Sequence, residues 1–132
     1  MKELISILFI LLFSSCTKDT YSKKEITNIA KQFDPSFEEV IPREMTGGIK
    51  CSDYGPGCIR GFTGRVHGLD MIFIEFESED DAKIEATRID QYYKWNWVFD
   101  DVSNEPMLEK FIEKNYQAHR PFKKSKDNQT QE

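Results

Sequence analysis

From Thr17 onward this chain holds only two of its six leucines, Leu69 and Leu108, and that scarcity constrains its fold more than any other feature. A chain short of leucine must fill its interior with other side chains or remain unfolded. Leu, Ile, Val and Phe together make 24 of the 116 residues after Cys16, close to the roughly 20% below which sequences stay disordered. Aromatics are the available compensation, since each buries on the order of 150–250 Å², and eight of the ten Phe, all five Tyr and both Trp lie after Cys16. The remaining apolar residues are segregated: ten of the first fifteen positions are hydrophobic. The 39% hydrophobic content therefore describes two objects, an apolar leader and a polar, acidic segment with a small aromatic core. A length of 132 residues argues against a multidomain enzyme, and the net charge of −5 is that of an acidic domain. No stretch reaches the about 20 apolar residues of a membrane-spanning helix.

The leader has internal order. Met1-Lys2-Glu3 is a very short start, and Leu4 to Phe13 is an apolar run with the length of a signal-peptide core. It ends in Phe13-Ser14-Ser15-Cys16, an apolar residue, two small ones and a cysteine. This resembles the lipobox of bacterial lipoproteins, with Phe13 standing where leucine is usual. The resemblance covers the leader only. It implies cleavage before Cys16, diacylglycerol on the Cys16 sulfur, and attachment to the bacterial cell envelope through lipid. At about 0.8 kcal/mol per buried methylene, one acyl chain is a marginal anchor, whereas two or three on one cysteine hold firmly. Thr17 stands where an Asp would retain some lipoproteins at the inner membrane, so the analogy favours the outer membrane, facing the periplasm or the cell surface. Lys18-Asp19 partly resembles the Lys-plus-acid tract that carries some lipoproteins to the surface; it also reads simply as part of a polar tether.

With Cys16 set apart, Cys51 and Cys58 remain, and an even remainder in an oxidising compartment reads as a disulfide. The intervening Ser-Asp-Tyr-Gly-Pro-Gly contains a turn that brings the ends together. A metal site would need further ligands, and only His67 and His119 exist; a redox pair would need Cys-x-x-Cys at a helix start. No metal and no cofactor is expected.

The rest reads as one domain over 22–118, preceded by the cleaved leader 1–15 and a lipidated tether 16–21, and followed by a disordered polar tail 119–132. Ser22-Lys-Lys-Glu25 has capping-box spacing and Ile26, Ile29, Ala30 and Phe33 follow at helical intervals, ending at Asp34-Pro35. Phe37, Val40 and Ile41 suggest a short strand. The segment 58–67 alternates loosely, its two glycines suggesting a bulge or close packing, and Asp70 to Glu77 is the clearest strand. His67-Gly68 turns between them. Ser78 caps a helix expected over 79–93, Trp95 to Asp100 reads as an aromatic strand, and Pro106 opens a last helix with a stripe of Leu108, Phe111, Ile112 and Tyr116. The order predicts an α+β fold: a two-layer sandwich of three or four antiparallel or mixed strands with helices on one face, a ferredoxin-like variant.

Chemistry is harder to read. Phe73-Ile-Glu-Phe76 with the acids after it resembles one strand and helix of an RNA-recognition domain over some fifteen residues. The basic-glycine-aromatic start of that motif is replaced by Leu69-Asp70-Met71, and residues 71–105 hold three cations against ten acids, so no nucleic-acid partner is expected. Asp100 to Glu105 lacks the spaced Asp and central Gly of a calcium loop and reads as a strand end running into a helix cap. His67 beside Asp53 or Asp70 is the only imidazole placed for catalysis, with no nucleophile motif around it. Trp95, Trp97 and Phe99 form either a binding platform or core. The sequence thus supports a non-enzymatic, lipid-anchored interaction domain with an envelope protein or polymer as partner. Its alternative is a small envelope hydrolase or ligand-binding enzyme using His67 and nearby acids.

Overall fold

The computed structural model describes residues 18–42 and 48–121; the leader, Cys16 and the tail from 122 lie outside the described residues. Helix α1 spans Lys23–Phe33, and the capping box is complete: Ser22 Oγ accepts from the Glu25 amide at 3.2 Å while the Glu25 carboxylate accepts from the Ser22 amide at 2.7 Å. Strand β1 covers Glu38–Val40, β2 Cys58–Val66 and β3 Leu69–Phe76. A two-residue turn at His67-Gly68 joins β2 to β3, with φ of 48° and 81°. Both values are positive, as a hairpin turn matching the strand twist requires. Of the two uses expected of the β2 glycines, close packing occurs at both Gly61 and Gly64, and the bulge falls ahead of them. The register shifts between Cys58 and Arg60, and a Cβ on Gly64 would meet the rings of Phe37 and Phe73 at 2.7 Å.

Helix α2 spans Glu79–Ile89, shorter than the expected 79–93. Asp90 ends it in the left-handed region, and Tyr92–Lys94 leaves as strand β4. The expected aromatic strand is in fact the second arm of a hairpin. Trp95 and Asn96 form its turn, and β5 is Trp97–Asp100. Helix α3 spans Pro106–Tyr116 with proline in its first turn.

The fold is α+β, with five strands rather than three or four. They form an antiparallel arrangement in the order β1-β2-β3-β5-β4, with β3 and β4 mutually parallel across β5. The alternation of side chains along β3 divides the core. Met71 and Phe73 join Trp97, Phe99, Ile26, Leu108 and Ile112 under α1 and α3, whereas Ile74, Phe76 and Val98 pack against Ala82 and Ala86 of α2. Helices therefore cover both faces, making three layers instead of the expected two-layer, ferredoxin-like arrangement. The reason is the apolar second face of β3, which requires its own cover.

The folded unit also reaches past both expected edges. The Tyr21 amide donates to Asn96 Oδ1 at 2.8 Å and its carbonyl accepts from Trp97 Nε1 at 2.8 Å. At the other end His119 exchanges both backbone hydrogen bonds with Tyr93, and Arg120 grips the Asp90 carboxylate through two bonds of 2.8 and 2.9 Å. These two residues belong to the domain and not to the tail.

The direction of β3 defines two poles, separated by roughly 24 Å along its eight residues. Its Phe76 end meets the β4–β5 turn, where Asn96 bonds the Phe76 backbone, and Tyr21 docks there. Its Leu69 end carries the His67 turn, the end of α1 and the start of α3. Helices α1 and α3 run antiparallel between the poles: Tyr116, at the end of α3, donates its hydroxyl to Ile26 O near the start of α1 at 2.7 Å.

Candidate functional site

At the His67 pole the chain leaves apolar side chains uncovered. Phe33, in the last turn of α1, is 46% exposed, and Met107, in the first turn of α3, is 49% exposed. With His67, Lys110, Phe111, Lys114 and Asn115 they line an open recess of about 310 Å³. Its floor is Phe111, against which the His67 ring stands edge-on at 5.6 Å between centroids.

The acid that the fold brings to His67 is Asp34, at 3.7 Å from Nδ1, and neither Asp53 nor Asp70. Asp70 is instead bonded to Arg65 Nε at 2.9 Å. Asp34 is 3% exposed, yet it accepts from the Ser36 amide at 3.0 Å, the Ser36 hydroxyl at 2.6 Å and the His67 amide at 2.8 Å. Burial opposes its ionisation, and these hydrogen bonds outweigh burial, holding the carboxyl below the ordinary aspartate value. Asp34 thus pins the β2–β3 turn to the end of α1 and fixes the position of His67. The His67 side chain itself lies on a surface turn, 45% exposed.

Cys51 and Cys58 come together as a disulfide pair with Cα atoms 5.5 Å apart, at the usual spacing. The loop they close packs on α2 and β5. Tyr54 donates its hydroxyl to Asp100 Oδ2 at 2.7 Å, and burial together with that acceptor pushes its phenol far up. Glu85 of α2, 2% exposed, accepts from the Gly55 amide and from Arg88 Nε. Asp53 belongs to a short 3-10 turn, Cys51–Asp53, in this loop, and Asp100 is committed to Tyr54.

The two tryptophans part company. Trp97 is fully buried and belongs to the core, in T-shaped contact with Phe62 at 6.0 Å. Trp95, at the hairpin turn, is half-buried and stacks on Tyr21 at 3.7 Å with the planes 23° apart. Among the described residues no helix is long and apolar enough to cross a membrane.

Sequence reasoning placed His67 on a turn but paired it with the wrong acids, because Asp34 reads locally as a helix stop. It also missed Met107, Lys110 and Lys114. Met107 carried a usable signal, being an apolar residue off the buried stripe of its own helix.

With this fold and recess in view, comparison with protein-family models, with curated proteins and with solved structures finds no match to the chain. What the arrangement can do is set by its chemistry. The recess offers apolar contact at Phe33, Met107 and Phe111, an imidazole, and two ammonium groups on its rim. That combination suits an apolar side chain flanked by acidic groups.

Proposed function

We propose that the chain is a lipid-anchored cell-envelope protein, held by acyl chains on Cys16, whose domain binds an envelope partner through the recess at its His67 pole. The observation that carries the reading is the run ending in Phe13-Ser14-Ser15-Cys16 only five residues ahead of Tyr21, where the domain begins. Two further features support it. The Cys51–Cys58 pair suits an oxidising compartment. The uncovered Phe33 and Met107 lie at the pole opposite Tyr21, the one turned away from a membrane-held N-terminus.

A second reading, a small hydrolase using His67, has in its favour the buried Asp34 carboxylate beside the ring. It also needs a nucleophile, and the residues lining the recess include no hydroxyl, thiol or acid.

The binding reading is tested by placing a photo-crosslinking residue at Met107 of the full chain in its native envelope, with Ile84, 66% exposed on α2, as the control position. The expected result is a discrete adduct from position 107 that position 84 does not give and that Lys110→Glu with Lys114→Glu abolishes. Identical patterns from both positions would contradict the proposal.

A further inference from the structure

At the Tyr21 pole, Tyr21 and Trp95 pack against the edge of the core, Trp95 edge-on to Tyr116 at 6.5 Å, and both remain only partly buried. Trp95 stands at a two-residue hairpin turn with φ of 51°. That region favours Gly, Asn or Asp and penalises a bulky residue. The backbone accepts this cost and places an indole at the surface, stacked on Tyr21. Two cations flank the pair: Lys18 Nζ lies 4.8 Å from the Tyr21 centroid and Lys94 Nζ 5.5 Å from that of Trp95. Lys18 is also paired with Glu25.

Tyr and Trp, with apolar bodies and polar tips, are the side chains that settle at a membrane–water interface, and lysine stems lie alongside with their ammonium groups in water. Position makes the coincidence specific. Four residues lie between Cys16 and Tyr21, so the five steps of fully extended chain span at most about 17 Å. Tyr21 is fixed to the domain through both backbone groups. A lipid on Cys16 therefore holds this pole, and not the His67 pole, within reach of the headgroups.

We propose that Tyr21 and Trp95, flanked by Lys18 and Lys94, seat this end of the domain in the lipid interface of the membrane holding the acyl chains, orienting the recess outward. The proposal rests on the lipid-anchor reading. It commits to lipid as the occupant of this face.

The test uses the full chain as purified from membranes, reconstituted into phosphatidylcholine vesicles whose acyl chains are brominated close to the glycerol backbone. Intact mass on the same sample reports acylation of Cys16. The chain has two tryptophans and Trp97 is fully buried, so surface-sensitive changes in emission report Trp95. The expected result is an acylated protein whose emission shifts blue and is quenched by the bromines, and is protected from aqueous iodide. Trp95→Phe removes the quenching; the wild-type measurement stands without that variant. An acylated protein whose emission is unquenched and iodide-accessible overturns the seating while leaving the anchor intact. Protection in native membranes but not in pure lipid vesicles overturns lipid as the occupant in favour of a protein. Absence of acyl groups removes the anchor reading and this one with it.

Discussion

Asp34 does more for this fold than its sequence neighbourhood suggests. Its three hydrogen bonds join the end of α1 to the β2–β3 turn, and two of the donors are backbone amides. Asp34→Ala leaves those donors buried without an acceptor, an expected loss of about 3 kcal/mol in chemical unfolding. Because the folded-state value is lowered, the carboxylate's contribution is complete at pH values above the unfolded aspartate pKa of about 3.9. It is lost as the pH falls through the folded-state value. Asp34→Asn should therefore be less stable at neutral pH and show a flatter decline on acidification, read as unfolding midpoints between neutrality and acid. His67 invites the opposite experiment. Its left-handed backbone before a glycine is the position where Asn-Gly turns excel. His67→Asn is expected to leave the thermal midpoint unchanged or slightly raised while weakening crosslinking from Met107. A large fall in the midpoint would show that the imidazole is there for folding and not for the recess.

At the scale of elements, local signals were legible where the chain obeys them. The capping box, the 3.6-residue stripe of α1 and the β-rich run of β3 predict what forms. The apolar rhythm predicts too long an α2 because Tyr93 continues the stripe past Ile89, while the feature that ends the helix, a left-handed Asp90, is one any aspartate conceals. The β4–β5 hairpin was hidden for a related reason: its turn is Trp95-Asn96, and tryptophan is no turn signal. The second helical layer was foreshadowed by Met71 and Phe73 beside Ile72, Ile74 and Phe76, two apolar faces on one strand. The disulfide loop is the element whose energetics follow most simply from length. Closing eight residues stabilises by about 2.5 kcal/mol in the chain-entropy picture. The Cys51→Ser, Cys58→Ser pair should lower stability by about that amount, and reductant should do the same to the wild type but nothing further to the double variant.

For the whole molecule, composition and arrangement fit together. With few leucines, the interior is built on Trp97, Tyr92, Tyr116, Phe73, Phe76 and Phe99, all fully or almost fully buried. What the sequence did not disclose is polarity in space. Phe33 and Met107 are far apart in the chain and meet only because α1 and α3 run antiparallel; Tyr21 and Trp95 meet only because β4 and β5 fold back. The recess was invisible for the same reason that Asp34 was, since contacts across more than 30 residues leave no local pattern. The proposed function assigns one pole to lipid and the other to a partner, and that proposal hangs on Cys16. The direct measurement is the mass of the N-terminal peptide of the mature protein isolated from its native membrane. The expected peptide begins at Cys16 and carries a diacylglyceryl group, and Cys16→Ser yields no lipid-bearing species. A peptide beginning elsewhere, or an unmodified Cys16, would contradict the account.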